Sequence, residues 1–284
     1  MGFSMEPMPS NEILQPEEHV AADEAPHPKI PLALRWLTWL VLLPLLALAT
    51  AFFGSISLVV GLWDSTGRQQ HYIARTWARV LLLLTLSPVT VEGLEKLQPL
   101  RRHEAGHGRP SRRPLAVYAS NHLSYYDTPM LFAKLPFQFR ILAKASLWKL
   151  PFIGWYLNRS GQVAIDQSSA RAGVASLMRG VKTLEAGLPL LLFPEGGRSA
   201  TGELKSMVAG GAWMAIKAQV PLVPITLVGT YELLPIHTYV MRPRPLKLII
   251  GDPLPTTGLT SRDADALTDR LRSVIHETYI ANHG

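Results

Sequence analysis

The most constraining feature of this sequence is a long uncharged stretch near its beginning. Between Trp36 and Trp63 no side chain carries a charge, and most of the residues are aliphatic or aromatic. About 20 helical residues cross the roughly 30 Å hydrocarbon core of a bilayer, and long soluble helices usually keep a polar face. Trp36, Trp39 and Trp63 lie near the ends of the run, where indole rings favour the membrane interface. The run therefore predicts a membrane helix.

Two residues within the run leave its shape open. Pro44 and Gly54 allow a bent, half-inserted helical hairpin in place of one straight helix. A secretory signal peptide fits poorly, because the leader is acidic and the run is long and starts late. A buried helix of a soluble protein remains the other alternative.

The next segment, from Gln69 to Leu86, has a basic and an apolar side. Basic residues recur three or four positions apart, which places them on one helical face: Arg68, His71, Arg75 and Arg79. Leu81 to Leu84 extend the apolar side. We expect an amphipathic helix in the membrane interface, with its basic face toward lipid headgroups.

Charge is distributed unevenly along the chain. Residues 1–30 carry six acidic side chains, one basic side chain and several prolines, so we expect a disordered tail. The rest is basic, which suits an anionic membrane or a phosphorylated substrate. No nucleic-acid-binding motif accompanies the charge, so nucleic acid is not an expected partner. The absence of cysteine excludes disulfides, thiolate zinc sites and a cysteine nucleophile.

The acidic residues precede the apolar run and the basic residues follow it. The positive-inside rule then predicts that residues 64–284 lie on the cytoplasmic side of the inner or cytoplasmic membrane.

After the apolar run, short strand-like segments alternate with longer helical ones. The expected strands are Ser87–Val91, Leu115–Ala119, Phe139–Ala143, Gln162–Ile165, Leu188–Phe193, Leu222–Leu227 and Leu246–Ile250. The clearest helices are Tyr125–Lys134, Ser168–Glu185, Val208–Ala218 and Asp263–Ile280. This alternation predicts an α/β fold with a largely parallel central sheet flanked by helices, preceded by the N-terminal membrane helix or helical hairpin. Residues 101–114 and 231–243 are expected to be loops.

The first polar motif stands where a predicted strand gives way to a helix. It reads Asn121-His122-Leu123-Ser124-Tyr125-Tyr126-Asp127. Side chains five positions apart on one helix point in different directions. His122 and Asp127 therefore meet only if His122 lies in the junction and Asp127 lies in the first helical turn. A carboxylate fixes the tautomer of an imidazole, which then suits it to take a proton from a hydroxyl.

The second motif follows another predicted strand. Leu190 to Phe193 lead into Pro194-Glu195-Gly196-Gly197-Arg198-Ser199. Glycines let backbone amides approach an anion closely, and Arg198 offers a planar fork for phosphate. A tight turn with a surface ion pair is the simpler alternative.

Together these motifs resemble those of the 1-acylglycerol-3-phosphate acyltransferase family. Its block Asn-His-x4-Asp is matched by Asn121, His122 and Asp127, and its block Phe-Pro-Glu-Gly-Thr-Arg-Ser by residues 193–199, with Gly197 in place of Thr. Two further blocks match in order, over residues 144–166 and Val220–Ile225. The resemblance covers roughly residues 70–255.

The resemblance implies a role for each matched residue. His122 would be the general base and Asp127 its orienting partner. The substrate would be bound by Asn121, Lys144, Glu195, Gly196, Gly197, Arg198 and Ser199. The acceptor hydroxyl would attack the acyl thioester of acyl-CoA or acyl carrier protein directly, and no metal or other cofactor would be required. The division would then be a disordered tail (1–30), membrane-anchoring helices (31–86) and an acyltransferase catalytic domain (87–284).

Two departures from the family pattern leave the acceptor open. Gln167 replaces an arginine, and Ala209 stands where the family often has a lysine. Arg171 and Lys205 are the candidate substitutes for the missing cations. Otherwise the acceptor is a lyso-ornithine lipid, another lysophospholipid or glycerol-3-phosphate in place of 1-acylglycerol-3-phosphate. An acyl chain would run along a tunnel walled by Leu147, Trp148, Phe152, Trp155 and Tyr156, unless these residues are ordinary core.

Rival functions of other classes are a catalytically silent lipid-binding scaffold and an ester hydrolase. The intact His122 and Asp127 argue against the first. The second lacks a Gly-x-Ser-x-Gly nucleophile motif.

Overall fold

The structure is a computed structural model of the 284-residue chain and describes residues 31–103, 110–150, 152–236, 238 and 240–283. The expected disordered tail lies outside these residues. The helices are α1 (Leu32–Val60), α2 (Arg68–Leu84), α3 (Asp127–Lys134), α4 (Ile153–Arg159), α5 (Ala170–Glu185), α6 (Gly210–Lys217), α7 (Thr230–Leu233) and α8 (Ala264–Asn282). The strands are β1 (Val89–Glu92), β2 (Arg101–His103), β3 (Pro110–Pro114), β4 (Val117–Ser120), β5 (Arg140–Lys144), β6 (Val163–Ile165), β7 (Leu190–Leu192), β8 (Leu222–Val228) and β9 (Leu246–Ile250).

Seven of these strands form one sheet in the order β1-β9-β8-β4-β7-β5-β6. The five strands from β8 to β6 are parallel to one another, and β9 and β1 run in the opposite direction. The predicted α/β fold with a largely parallel sheet and flanking helices is therefore confirmed. Because β4 and β7 are neighbours, the two polar motifs that follow them emerge side by side at the carboxyl edge of the sheet.

The central strands are buried on both faces, as their continuous apolar sequences require. Alternate residues enter two separate cores. Tyr118 and Leu191 pack toward α1, α2 and α3, and Val117 and Leu190 pack toward α5, α6 and α8. The period of two along a strand thus divides each strand between both helical layers.

The apolar run folds as one continuous helix, so the chain does not turn back on itself at Pro44 or Gly54. Helix α1 contains a π-helical segment at Thr38–Leu42, which ends two residues before Pro44. The wider turn accommodates the proline, which has no backbone N–H to donate and whose ring clashes with the preceding helical turn. Helix α2 then packs beside α1 as the second arm of a helical hairpin.

One side of α1 is hydrogen-bonded to the rest of the protein at several positions along the helix. Near its start, the Thr38 hydroxyl accepts a hydrogen bond from the Met241 amide at 3.3 Å. Near its middle, the Trp77 indole donates to the Thr50 hydroxyl at 3.1 Å. Near its end, the Gln70 amide donates to the Ser57 carbonyl at 3.2 Å. The helix therefore lies along the domain instead of projecting from it.

His71 does not face the membrane interface, contrary to the prediction for the basic face of α2. This residue is buried, its Nε2 lies 3.1 Å from the Phe137 carbonyl oxygen, and its ring packs against Phe132 and Phe139. Helical periodicity placed His71 on a basic face, but packing against α3 turns that part of the helix inward. The exposed residues Arg68 and Arg79 keep the predicted accessibility.

The loop predicted at residues 101–114 is also wrong at its two ends. Strands β2 and β3 pair there as a two-stranded antiparallel ribbon. The Gly, Pro and Arg composition concealed this pairing because it lacks the alternation typical of a strand.

Candidate active site

The first motif brings its histidine and aspartate together in the predicted manner. His122 follows β4, and Asp127 is the first residue of α3. The His122 Nδ1 atom lies 2.8 Å from Asp127 Oδ2. Since a carboxylate oxygen accepts hydrogen bonds, Nδ1 carries a proton, and in the neutral imidazole Nε2 then keeps its lone pair. This is the tautomer that a base at Nε2 requires.

The Asp127 carboxylate is completely buried and is held by backbone amides as well as by His122. Its Oδ2 also accepts hydrogen bonds from the amides of Leu123 and Ser124, at 2.6 and 2.8 Å. Its position at the helix N-terminus adds favourable electrostatics for a negative charge. Its Oδ1 has no hydrogen-bond partner among the described residues. No group of three or more His, Asp and Glu side chains in those residues is placed to hold a metal.

Glu195 joins the two motifs from inside the protein. Its Oε1 accepts a hydrogen bond from the His122 amide at 2.9 Å, and its Oε2 accepts one from the Lys205 amide at 3.1 Å. Only 6% of the residue is exposed. Burial raises the pKa of its carboxyl to about 7, although the hydrogen bonds from the two backbone amides lower it. The carboxylate thus fixes the backbone of His122 and of the loop at Lys205.

The His122 imidazole and backbone also contact the second motif directly. The Phe193 ring stacks on the imidazole with centroids 3.9 Å apart and an interplanar angle of 13°. The His122 carbonyl accepts a hydrogen bond from the Ser199 amide at 3.0 Å. His122 is therefore oriented by Asp127, Phe193, Glu195 and Ser199 together.

Arg198 lies at the outer side of this arrangement. Its guanidinium carbon is 3.5 Å from the centroid of the Tyr125 ring, which belongs to the first motif. The nearby Gly196 has a φ of 70° and is exposed, and a Cβ placed there would meet no atom within 4 Å. This turn therefore needs glycine for its left-handed conformation and leaves open space beside the cation.

The predicted substrate-binding residues do not all face this space. The Asn121 side chain is buried and exchanges two hydrogen bonds with the backbone of Leu227, at 2.9 and 2.7 Å. Ser199 is buried, and its hydroxyl accepts from the Gly202 amide at 3.1 Å. Both side chains therefore stabilise neighbouring backbone through hydrogen bonds. Gly196, Gly197 and Arg198 remain accessible.

Lys144 is exposed at the carboxyl end of β5, on the same edge of the sheet as His122 but two strands away. Of the two cations suggested as substitutes, Lys205 lies in the loop that Glu195 holds. Arg171 is exposed in the first turn of α5.

Two aromatic residues of the site were not predicted for it from sequence. Tyr125 and Phe193 stand inside the recognised motifs, so the motif spacing was a usable signal, but their pairing partners are distant in sequence. The backbone contact of Lys205 had no sequence signal. Of the expected tunnel wall, Leu147, Trp148 and Tyr156 pack on the core, whereas Phe152 and Trp155 face outward, which corrects that part of the interpretation.

Comparison with known proteins decides the family. A sequence model of the family described as Acyltransferase matches residues 88–228. A 1-acyl-sn-glycerol-3-phosphate acyltransferase of Chlamydomonas reinhardtii is 30% identical over 260 residues, which cover 89% of this chain and 72% of that protein. The chain belongs to the 1-acylglycerol-3-phosphate acyltransferase family.

A further relative and a solved structure are also similar to this chain. The chloroplastic 1-acyl-sn-glycerol-3-phosphate acyltransferase LPAT1 of Arabidopsis thaliana is 31% identical over 81% of this chain, which spans 61% of the length of that relative. The crystal structure of the 1-acyl-sn-glycerophosphate acyltransferase PlsC from Thermotoga maritima superposes with a TM-score of 0.64 at 24% identity, over 82% of this chain and 93% of that one. This structure shows a shared fold.

Proposed function

We propose that this protein transfers a fatty acyl group from a thioester to the free hydroxyl of 1-acylglycerol-3-phosphate, giving phosphatidate for phospholipid synthesis. The observation that carries the proposal is the His122–Asp127 pair, with 2.8 Å between Nδ1 and Oδ2, beside a loop that presents Arg198. The names of the related proteins support the acceptor.

His122 acts as the general base in this mechanism. Asp127 holds the proton on Nδ1, so Nε2 takes the proton of the acceptor hydroxyl as its oxygen attacks the thioester carbonyl. The tetrahedral intermediate then expels the thiolate, and the proton passes from Nε2 to the sulfur. One ester and one free thiol are formed. The buried Asp127 carboxylate stabilises the imidazolium between the two proton transfers.

The acceptor phosphate binds outside this pair, on the accessible cation of the second motif. Arg198 offers a bidentate fork, and the open space at Gly196 lets the phosphate approach the backbone. Lys144 adds positive charge at the same edge of the sheet, and Lys205 substitutes for a cation missing at Gln167 or Ala209. Glu195 and Asn121 position the site and do not contact the substrate.

The protein is attached to a membrane through α1. Most of the helix is exposed, including Leu40 (65%), Leu48 (66%) and Phe52 (61%). Such a continuous apolar face is unfavourable in water. Because the opposite side of α1 is tied to the domain along its length, the helix lies in the bilayer surface with this face among the acyl chains. The catalytic edge then faces the cytoplasmic leaflet.

The acyl donor is acyl-CoA or acyl carrier protein, and the reaction needs no cofactor. Thioesters are activated acyl groups, so attack by a deprotonated hydroxyl is sufficient for transfer.

The experiment that tests the function measures free thiol released by purified, detergent-solubilised protein. The donors are palmitoyl-CoA and oleoyl-CoA. The acceptors are lysophosphatidate, glycerol-3-phosphate, lysophosphatidylcholine and a lyso-ornithine lipid. Release only with lysophosphatidate supports the proposal. Release only with another acceptor assigns Gln167 and Ala209 to a changed headgroup site. If all acceptors are inactive with both CoA donors, the panel is repeated with acyl carrier protein thioesters, and inactivity there contradicts the proposal.

A further inference from the structure

A second apolar surface lies on the catalytic part of the chain, outside the two N-terminal helices. Four large apolar residues just before and at the start of α4 are each more than 40% exposed: Leu150 (44%), Phe152 (43%), Ile153 (44%) and Trp155 (51%). We call these four residues the α4 patch. The burial of single apolar side chains of this size is worth about 1.5–3 kcal/mol each, so their joint exposure calls for a covering partner.

The backbone at this patch is strained in a way that supports its outward orientation. Phe152 has a φ of 59°, in the left-handed region that a bulky residue rarely adopts. Such a conformation costs on the order of 1–3 kcal/mol and persists only where the surroundings enforce it. The Phe152 ring meets Trp155 edge to face, with centroids 5.2 Å apart. The strain presents two aromatic rings together at the surface.

The α4 patch is continuous with the exposed face of α1. A Cβ at Gly54 of α1 would lie 3.9 Å from the Phe152 side chain. Arg159, at the end of α4, donates from Nη1 to the Gly61 carbonyl at 3.4 Å. These contacts place the patch next to the second half of α1, so a surface that covers α1 there also reaches the patch.

The charged side chains on the segment that carries the patch are all positive. Lys144, Lys149 and Arg159 are exposed on this segment. The sequence contains no acidic residue from Arg140 to Ile165. Apolar and aromatic side chains flanked along the chain by exposed cations match the chemistry of an anionic lipid surface, where rings enter the interface and cations meet phosphates. A water-soluble protein partner would not require this combination.

We propose that the α4 patch inserts into the membrane interface beside α1 and forms a second lipid contact, made by the catalytic domain itself. This inference rests on the proposed attachment through α1. Two contacts on one side of the domain fix its tilt. Lys144, at the carboxyl end of β5, is then brought to the lipid headgroups, so the acceptor reaches the catalytic edge directly from the leaflet.

The absence of cysteine allows a direct depth measurement on the full chain. Single cysteines are introduced as Ile153→Cys and Trp155→Cys, labelled with an environment-sensitive fluorophore, and reconstituted in nanodiscs of phosphatidylcholine and phosphatidylglycerol. Some of the lipids carry a spin label high in the acyl chain, which quenches only nearby fluorophores. Leu48→Cys, on the exposed face of α1, reports membrane attachment, and Ala175→Cys and Ser273→Cys, exposed on α5 and α8, report solvent.

We expect quenching and a blue shift at positions 153, 155 and 48, and neither effect at positions 175 and 273. Quenching at 48 without quenching at 153 and 155 overturns the inference while leaving the attachment intact. Absence of quenching at 48 contradicts the attachment itself, and the inference fails with it. Energy transfer between labelled copies at 153 and 155, without lipid quenching, identifies a second copy of the chain as the covering partner and also overturns the inference.

Discussion

The guanidinium carbon of Arg198 lies 3.5 Å from the centroid of the Tyr125 ring, so the two motifs are joined by a cation–π contact at the rim of the site. Tyr125 is half exposed, and its ring covers one face of the guanidinium. The planar edge of Arg198 stays available for the phosphate that we propose as its ligand. We therefore infer that Tyr125 positions Arg198 for the acceptor.

Loss of this ring should weaken acceptor binding selectively. A partly exposed cation–π contact is worth about 0.5–1 kcal/mol, so Tyr125→Leu should raise the KM for lysophosphatidate by about two- to fivefold. The KM for the acyl donor and kcat should change little, and Tyr125→Phe, which keeps the ring, should behave as the wild type. Steady-state kinetics with each substrate varied in turn checks this. Equal changes in both KM values would contradict the role.

The stacking of Phe193 on His122 should matter for turnover instead. Aromatic stacking is worth about 0.5–1.5 kcal/mol, and it orients the ring that accepts the proton. We expect Phe193→Leu to lower kcat by about two- to tenfold, with the KM for lysophosphatidate nearly unchanged, and Phe193→Tyr to retain most of the activity. A normal kcat for Phe193→Leu would show that Asp127 and the backbone contacts suffice.

The pKa of Glu195 predicts a contribution to stability that decreases as the pH rises. Burial raises this pKa from 4.5 to about 7, so the folded protein holds the proton more tightly than the unfolded chain. The stabilisation is complete below about pH 4.5 and is lost as the pH rises to about 7, a change of about 3 kcal/mol. We expect Glu195→Gln to remove this component from the pH dependence of Tm, and Glu185→Gln, an exposed control, to leave it. A pH profile unchanged by Glu195→Gln would refute the shift.

The pKa of His71 predicts the opposite trend, a contribution to stability that decreases as the pH falls. Burial, and then the positive charges of Arg75, Arg140 and Arg113, lower its pKa from 6.5 to about 3, although the Phe137 carbonyl opposes this. The folded protein holds His71 neutral, so its stabilisation is complete above about pH 6.5 and is lost as the pH falls toward 3.

His71→Gln cannot titrate and can still donate to the Phe137 carbonyl, so Tm should fall less steeply with acid in this variant. His276→Gln, on the exposed side of α8, is the matched control. An equal acid sensitivity of wild type and His71→Gln would show that His71 does not carry the effect.

Much of the fold could be predicted because local patterns and tertiary structure agree there. The strand ends at Ser120 and Leu192 follow from apolar runs that turn into polar motifs, and parallel pairing of β4 and β7 then brings the motifs together. His71 could not be placed correctly, since helical periodicity defines a face but not the partner that covers it. Phe152 and Trp155 were expected in the wall of an acyl-chain tunnel because they are apolar, but both are exposed, which an apolar pattern alone does not reveal.

Within the site, the sequence identified His122 and Asp127 but not the contacts that orient them. Those contacts depend on how two loops about 70 residues apart in sequence meet in space. They are the stacking of Phe193 on His122, the contact of the Tyr125 ring with Arg198 and the hydrogen bonds that Glu195 accepts from backbone amides. For Asn121 and Ser199, burial decides between contact with substrate and support of the backbone, and motif matching carries no information on burial.

The central claim is that His122 removes the proton from the acceptor hydroxyl. The most direct measurement is the rate of thiol release from oleoyl-CoA with saturating lysophosphatidate, for the wild type and for His122→Ala, with Tm and membrane extraction as controls for folding. A positioned general base contributes about 10²–10⁴-fold, so we predict a loss of at least about a hundredfold with Tm little changed. If well-folded His122→Ala retains substantial acceptor-dependent thiol release, His122 is not the base and the mechanism is wrong.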